Sequence, residues 1–200
     1  MMRGLFISSG LAAAAFAALA AGQAAAQAAE APRQTVTVTG EAPRSCTLGA
    51  IEQAEEQAAN FDPPAGSVFP ITRLADPETL STRAARIVLT VPAMCNGVHR
   101  VVLGSDNNGL WRQDSGTAPA GFATAAPYQI GLTWADQEET LAADAVGRRY
   151  AEQQILVARP ARGDMEIAFE VRTGDTNAIQ GAPLVAGEYS DVLRLTVEPQ

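Results

Sequence analysis

Six short segments of this chain alternate apolar and polar residues with a period of two. Such alternation puts apolar side chains on one face of a strand and polar ones on the other, as in antiparallel sheets with one wet face. Turn-forming residues separate the segments, and Asn96-Gly97 between the first two is a strong hairpin dipeptide. We therefore expect an all-β fold, an antiparallel β-sandwich. The six predicted strands are residues 85–91, 98–103, 128–134, 153–158, 165–172 and 191–197.

Two other segments, residues 48–60 and 138–150, are rich in Ala, Glu and Gln. Their composition and the spacing of their apolar residues favour helices. A solvated loop fits the same residues equally well, and the sequence leaves both interpretations open.

The first 26 residues predict a signal peptide. Arg3 supplies the positive start, an Ala-rich apolar run follows, and Ala24-Ala25-Ala26 matches the small-residue cleavage pattern. A transmembrane anchor is the alternative, but the run is somewhat short and alanine is only weakly hydrophobic. We expect the exported chain to have no membrane span and to consist of an extension over residues 27–44 and a single domain over residues 45–200.

Export to an oxidising compartment would determine whether the two cysteines form a disulfide. In an oxidising compartment Cys46 and Cys95 most simply form one disulfide, and two unpaired thiols are the alternative. No Cys-x-x-Cys motif is present, so the pair is expected to be structural and not catalytic.

Composition argues against several classes of function. The chain has 22 acidic residues against 14 basic ones, all of them Arg, and a net charge of −8, which is unfavourable for nucleic-acid binding. A Ser-His-Asp triad would have to use His99, the only histidine. With one His and two Cys, a zinc site lacks good ligands. We therefore expect no enzyme activity, no cofactor and no metal site.

Several residues are of types that can bind ligands or act in catalysis. His99, at the start of a strand, is expected to be exposed or at a hairpin edge. The loop over residues 106–109 resembles a calcium loop but lacks the spacing of an EF-hand, so a plain turn is expected. Glu138, Glu139 and Asp144 are expected to form a solvated face and not the carboxylate pair of a glycosidase.

The two tryptophans differ in setting. Trp134 lies on the apolar face of a predicted strand and is expected in the core, whereas Trp111 lies in a loop where it could stack on a ligand.

The extension carries one β-favouring patch, Gln-Thr-Val-Thr-Val-Thr over residues 34–39. Val36 and Val38 fall on one side of it. The patch is either an ordinary first strand of the sandwich or a detachable strand that adds to the sheet edge of a neighbour.

The order of motifs along the chain resembles that of the spore coat protein U-like domain, which also forms the subunits of archaic chaperone–usher pili. The resemblance covers most of residues 35–197 and is most specific at the C-terminus, where Gly187, Tyr189 and Asp191 precede alternating apolar residues. The region over residues 135–163 is longer and more charged than the usual loop of that family. The other motifs are Ser45-Cys46-Thr47-Leu48, the second cysteine opening a hairpin within residues 91–97, Arg112, and the strand over residues 127–134 that leads to a Trp.

The resemblance implies an immunoglobulin-like sandwich that is incomplete, lacking its final strand. It implies a structural subunit of a surface pilus or pilus-like filament, assembled by donor-strand complementation with identical or related pilin subunits. A periplasmic chaperone and an outer-membrane usher would be its partners, and the protein would pass through the periplasm to the cell surface or be secreted. Val36 and Val38 would act in the donor strand, and Leu193, Leu195 and Val197 in the acceptor groove. A non-polymerising secreted or periplasmic binding module of the same fold is the alternative.

Overall fold

The computed structural model describes residues 33–53, 58–114 and 116–200, and within them the regular structure consists of strands without helices. The predicted signal peptide lies outside the described residues. The chain divides into two units, residues 1–41 and residues 42–200. In the first, residues 33–41 have no regular secondary structure. The strands of the second are β1 Cys46–Leu48, β2 Glu52–Gln53, β3 Ala85–Cys95, β4 His99–Ser105, β5 Leu110–Arg112, β6 Ala125–Ala126, β7 Tyr128–Trp134, β8 Gln137–Ala143, β9 Ala151–Val157, β10 Ala161–Val171, β11 Tyr189–Ser190 and β12 Leu193–Pro199.

Antiparallel pairing joins these strands into three sheets. The largest has the order β1-β3-β10-β7-β8, with β2 also on the outer side of β3. A second sheet has the order β12-β4-β9, and a small third sheet joins β11, β5 and β6. The prediction of an all-β fold with antiparallel sheets is confirmed.

The core lies between the two main sheets and follows from the period-two pattern. On β10, Met165, Ile167 and Val171 are at most 5% exposed, while Glu166 and Glu170 between them face solvent. β3 and β7 of the same sheet and β4 and β9 of the other contribute the remaining core side chains. Because each fully buried Val, Leu or Ile contributes roughly 1.5–3 kcal/mol, this alternation is the main source of stability.

The sandwich has two distinguishable ends. We call the end at which β3 and β12 begin, with the small third sheet, the upper end. The end at which β3 stops at Cys95 and β12 stops at Pro199 is the lower end. Residues 43–46 are fixed at the lower end, because the Asn96 side chain donates to the Pro43 carbonyl and accepts from the Ser45 amide, both at 2.8 Å. The extension therefore joins the domain at the lower end.

The two segments with helical composition are not helices in the described residues. Residues 138–143 of the second segment belong to strand β8, which begins at Gln137 and is paired along its whole length with β7. The link between them is only Ala135-Asp136, both with positive φ, which is the geometry of a two-residue type I′ hairpin turn. In the first segment, Leu48 ends β1 and residues 52–53 form β2, both along β3. Both helix and loop were wrong for residues 138–143, because pairing with β7 outweighs weak helix propensity. Residues 144–150 have no regular secondary structure, so the loop interpretation holds there.

His99 lies at the hairpin edge, where β4 begins, but it is fully buried and not exposed. Its Nδ1–H donates to the Gly97 carbonyl at 2.9 Å, and its Nε2 accepts a hydrogen bond from the Trp134 indole N–H at 2.8 Å. A satisfied, neutral imidazole can be buried at little cost, so His99 closes the lower end of the core. Trp134 lies in the core, as predicted.

The disulfide between Cys46 and Cys95 is confirmed. It connects β1 to the end of β3, where the two residues lie opposite each other in the ladder. The bond closes a chain segment of 49 residues and holds the first strand of the domain on the edge of the large sheet.

We expect the paired replacement Cys46→Ser and Cys95→Ser to lower the free energy of unfolding by roughly 4 kcal/mol, because the disulfide restricts the unfolded chain. Urea unfolding followed by tryptophan fluorescence measures this loss. An unchanged urea midpoint would show that the disulfide contributes nothing to stability.

Candidate functional site

The last strand of the chain forms one edge of the smaller sheet. β12 pairs with β4 over its whole length, from Leu193 opposite Ser105 to Pro199 opposite His99. In the described part of the chain, no second strand pairs with its other side. The outer side of β12 is therefore a sheet edge, and its backbone groups determine what it can bind.

Which backbone groups face this edge follows from the hydrogen bonds at the two ends of the ladder. The Asp106 amide donates to the Val192 carbonyl at 3.0 Å, and the Gln200 amide donates to the Val98 carbonyl at 2.9 Å. Antiparallel ladders alternate between hydrogen-bonded and non-hydrogen-bonded pairs, so the even-numbered residues of β12 bond to β4. The odd-numbered residues, Leu193, Leu195 and Val197, direct their N–H and C=O groups away from the sheet.

The side chains of these odd-numbered residues lie on the inner face. Leu195 and Val197 pack against the core yet remain only half-buried, and Leu193 is 37% exposed. Their cross-strand neighbours on β4, Val101 and Leu103, are at most 1% exposed. Leu193, Leu195 and Val197 thus present both unpaired backbone groups and incompletely covered apolar side chains. We call these three residues the β12 edge.

The two long sides of the sandwich differ in how they are closed. On one side, β8 and β9 lie beside each other and are joined by side chains. Gln137 donates to the Leu156 carbonyl at 3.1 Å, Gln153 donates to the Glu139 carboxylate at 2.9 Å, and Arg159 donates to the Ala135 carbonyl at 3.1 Å.

On the other side, β1 approaches β12. A direct hydrogen bond on this side lies at the lower end, where the Arg44 guanidinium donates to the Gln200 carbonyl. Leu48 and Ile51, on the β1 and β2 side, are 41% and 45% exposed. The apolar side chains at this margin are therefore more exposed than those of the core.

Asp191 fixes the point at which β12 begins. Its Oδ2 accepts hydrogen bonds from the Ser105 hydroxyl at 2.7 Å and the Tyr128 hydroxyl at 2.6 Å, and its Oδ1 accepts one from the Asn107 amide at 3.0 Å. The amide of Gly109 donates to the same carboxylate at 3.2 Å. The carboxylate therefore connects the start of β12 to the end of β4, the following loop and the start of β7. We call this group the Asp191 network.

The environment of the Asp191 network is largely excluded from solvent. Ser105 is fully buried and Tyr128 is 3% exposed. Burial, followed by the hydrogen bond to Asp191, raises the pKa of Tyr128 far above its ordinary value, so its hydroxyl remains a donor. Asn108 has a positive φ, which Asn tolerates, and its amide donates to the Ser105 hydroxyl at 2.8 Å.

Gly187 and Tyr189 shape the turn before β12. Gly187 has a φ of 151°, and a Cβ atom there would come within 2.9 Å of the Arg112 side chain. Only glycine allows this close approach. The Tyr189 hydroxyl donates to the Val185 carbonyl at 2.6 Å, and burial raises the pKa of this tyrosine. The residues of the C-terminal motif thus position the chain that enters β12.

The sequence pointed to Asp191 and Tyr189 but not to the partners of the Asp191 carboxylate. Ser105, Asn107 and Tyr128 come from distant points in the chain, and only folding brings them to Asp191. Asn108-Gly109, a dipeptide suited to positive φ, was the one local signal of a special backbone conformation at this loop.

Val36 and Val38 lie in the first unit and are 83% and 90% exposed. Residues 34–39 have no regular secondary structure.

The remaining candidates take part in local packing. The Trp111 indole N–H donates to the Asn107 carbonyl at 2.8 Å, and the Arg148 guanidinium lies 5.4 Å from the centre of the Trp111 ring. Asp144 accepts a hydrogen bond from Arg149 at 2.9 Å, which together with the Val146 amide lowers the pKa of Asp144 to about 2. Glu138 and Glu139 are exposed on β8.

Two shallow depressions of about 340 Å³ and 260 Å³ lie beside Glu170 and Arg172, at the upper end of the large sheet. The Arg172 guanidinium there donates to the Gln129 side chain at 2.6 Å. Among the described residues, no cluster of three or more His, Cys, Asp or Glu side chains is arranged to hold a metal ion. The described part of the chain also contains no helix that could span a membrane.

Comparison with protein-family models returns no match for this chain, and comparison with curated proteins returns none either.

We expect Asp191→Ala to lower the free energy of unfolding by about 3 kcal/mol or more, because it leaves several buried donors without an acceptor. Asp106→Ala is the matched control, since Asp106 pairs with Arg194, whose side chain is 62% exposed, and this ion pair is expected to contribute less than about 1 kcal/mol. Urea unfolding of both variants measures the difference. Equal losses of unfolding free energy in the two variants would show that the Asp191 network does not stabilise the domain more than the Asp106 ion pair.

Proposed function

We propose that this protein is a structural subunit of a surface pilus or pilus-like filament. In this proposal its domain is an incomplete immunoglobulin-like sandwich, and the extension over residues 27–44 supplies the donor strand for another copy. Assembly proceeds by donor-strand complementation, with a periplasmic chaperone and an outer-membrane usher as partners.

The observation that carries this proposal is the β12 edge. Leu193, Leu195 and Val197 combine outward-facing N–H and C=O groups with inner-face side chains that the domain covers only in part. A strand added beside β12 would satisfy these backbone groups and cover the apolar side chains in one step. The opposite side of the sandwich, closed by side chains of β8 and β9, offers no equivalent site in the described residues.

The extension matches this edge in length and pattern. The distance along β12 from Leu193 to Val197 is five residues, and Thr35 to Thr39 is also five residues long. Val36 and Val38 share one side of that segment and would face the core beside the β12 edge, while the three threonines of the segment would face solvent. Antiparallel addition can place Val36 and Val38 opposite Val197 and Leu195, or opposite Leu195 and Leu193.

A free edge of this kind has consequences before assembly. An exposed strand edge with apolar side chains promotes unspecific pairing between chains, so a subunit that carries one needs temporary cover. A chaperone strand in the periplasm would provide that cover, in agreement with the predicted signal peptide. Because donor and acceptor are different surfaces of the same chain, their contact is heterologous and builds open filaments.

Leu195→Glu is expected to abolish assembly, because it places a charge on the inner face of the β12 edge. Thr196→Glu is the matched control, since the adjacent side chain points to the outer face. Periplasmic expression with a matching assembly chaperone, followed by SDS gels of unheated and heated samples, shows assembly as a heat-sensitive ladder. The parent and the Thr196→Glu variant should give the ladder.

Deletion of residues 27–41 should also abolish the ladder, because the donor strand is lost. Sharp monomer bands from both the full chain and the deletion variant would contradict the pilin proposal. That result would favour a self-sufficient sandwich that binds another molecule.

A further inference from the structure

Several large apolar side chains are exposed in the loops of the upper end, and three of them lie in loops that are connected to one another. Leu80, Phe122 and Ile179 are 51%, 40% and 75% exposed. Their loops are connected by backbone hydrogen bonds around Pro183-Leu184: the Leu184 amide donates to the Leu80 carbonyl, and the Ala123 amide donates to the Pro183 carbonyl, both at 2.8 Å. We call these three side chains the upper patch.

Leu80 is unusual in conformation as well as in exposure. It has a φ of 60°, and its amide donates to the Asp76 carbonyl at 2.8 Å at the end of a tight turn. A left-handed conformation is unfavourable for a leucine relative to its ordinary backbone regions. Since half of the side chain remains exposed, packing within its own domain compensates for little of that strain. A leucine held in this way is well placed for a contact outside the domain.

We infer that the upper patch is the surface on which the lower end of the next copy of this chain rests in the filament. This inference rests on the proposed function and extends it from the donor strand to the contact between successive domains.

The direction of the donor strand decides which end of the domain meets the next one. β12 runs from the upper end at Leu193 to the lower end at Pro199. An antiparallel donor strand runs the opposite way, so Thr35 lies near the lower end of the acceptor and Thr39 near its upper end. Every pair of named strands in the described part of this domain is antiparallel, and antiparallel pairing is slightly more stable per residue.

The length of the connection then brings the two domains together. Only residues 40–44 lie between Thr39 and Ser45, which is fixed at the lower end of its own domain by Asn96. The six extended steps from Thr39 to Ser45 span at most about 22 Å. The lower end of the donor domain must therefore lie within that distance of the upper end of the acceptor. The lower end of one copy, with the Asn96 turn and Gln200, therefore faces the upper end of the other, whose exposed loops include the upper patch.

The experiment mixes full-length exported chains that each carry one added cysteine. The native cysteines are both held in the disulfide, so the added residue is the only free thiol. A first pair tests the proposed function: Leu195→Cys is mixed with Val36→Cys or Val38→Cys under oxidising conditions. Leu195 faces one of these two valines in either register. Thr37→Cys is the control, because its side chain points to the other face.

A second pair tests the inference. Ile179→Cys is mixed with Gln200→Cys in the presence of a short bis-maleimide cross-linker. Leu156→Cys with Gln200→Cys is the matched control, since Leu156 is also exposed but lies toward the lower end. Because assembly raises the local concentration of the two thiols, we expect about tenfold more cross-linked dimer from the Ile179 pair than from the control.

The outcomes separate the two proposals. Disulfide dimers through Leu195 together with selective cross-linking through Ile179 would support both. Disulfide dimers without selective cross-linking would overturn the inference and leave donor-strand pairing in place. Absence of disulfide dimers with both valines would overturn the proposed function, and the inference with it.

Discussion

The hydrogen bonds that gather on the Asp191 carboxylate determine how the last strand of this protein is presented. They connect the start of β12 to Ser105, Asn107 and Tyr128, which belong to other elements of the upper end. At the lower end, the Gln200 amide bonds to the Val98 carbonyl. With both ends held, β12 cannot slip along β4. A slip of one residue would turn Leu195 and Val197 outward and bring Arg194 and Thr196 inward.

This fixed register explains why the residues of the β12 edge combine inward-facing side chains with backbone groups that face the open edge. In a strand, successive residues alternate both in the face of their side chain and in the side to which their backbone groups point. Leu193, Leu195 and Val197 therefore face inward and at the same time direct their N–H and C=O groups to the open edge. The C-terminal motif contains Asp191. Through the Asp191 network, this motif therefore determines the geometry of the candidate site.

The main strands could be predicted from sequence because their alternation is regular and their turns carry strong signals. β10 is the best example, with four apolar residues at every second position, and Asn96-Gly97 marked the hairpin between β3 and β4. β8 could not be found in this way. Its residues have helical composition, and the turn before it, Ala135-Asp136, adopts positive φ without Asn or Gly to signal it. His99 was misjudged for a related reason, since burial of a histidine depends on a partner such as Trp134 that is distant in sequence.

The composition of β12 also limits what its edge can accept. Pro199 has no N–H, so the outward-facing donors of the strand end at Val197. On the outer face of β12, Arg194 pairs with Asp106 and Glu198 pairs with Arg100, so this face of the strand is charged. Charged side chains on this outer face make it unfavourable for an added strand to place apolar side chains on the same face. The edge therefore favours a short strand that is apolar on one face and polar on the other. Residues 35–39 of this chain have that pattern, whereas a longer or uniformly apolar strand would extend past Pro199 or leave apolar residues in solvent.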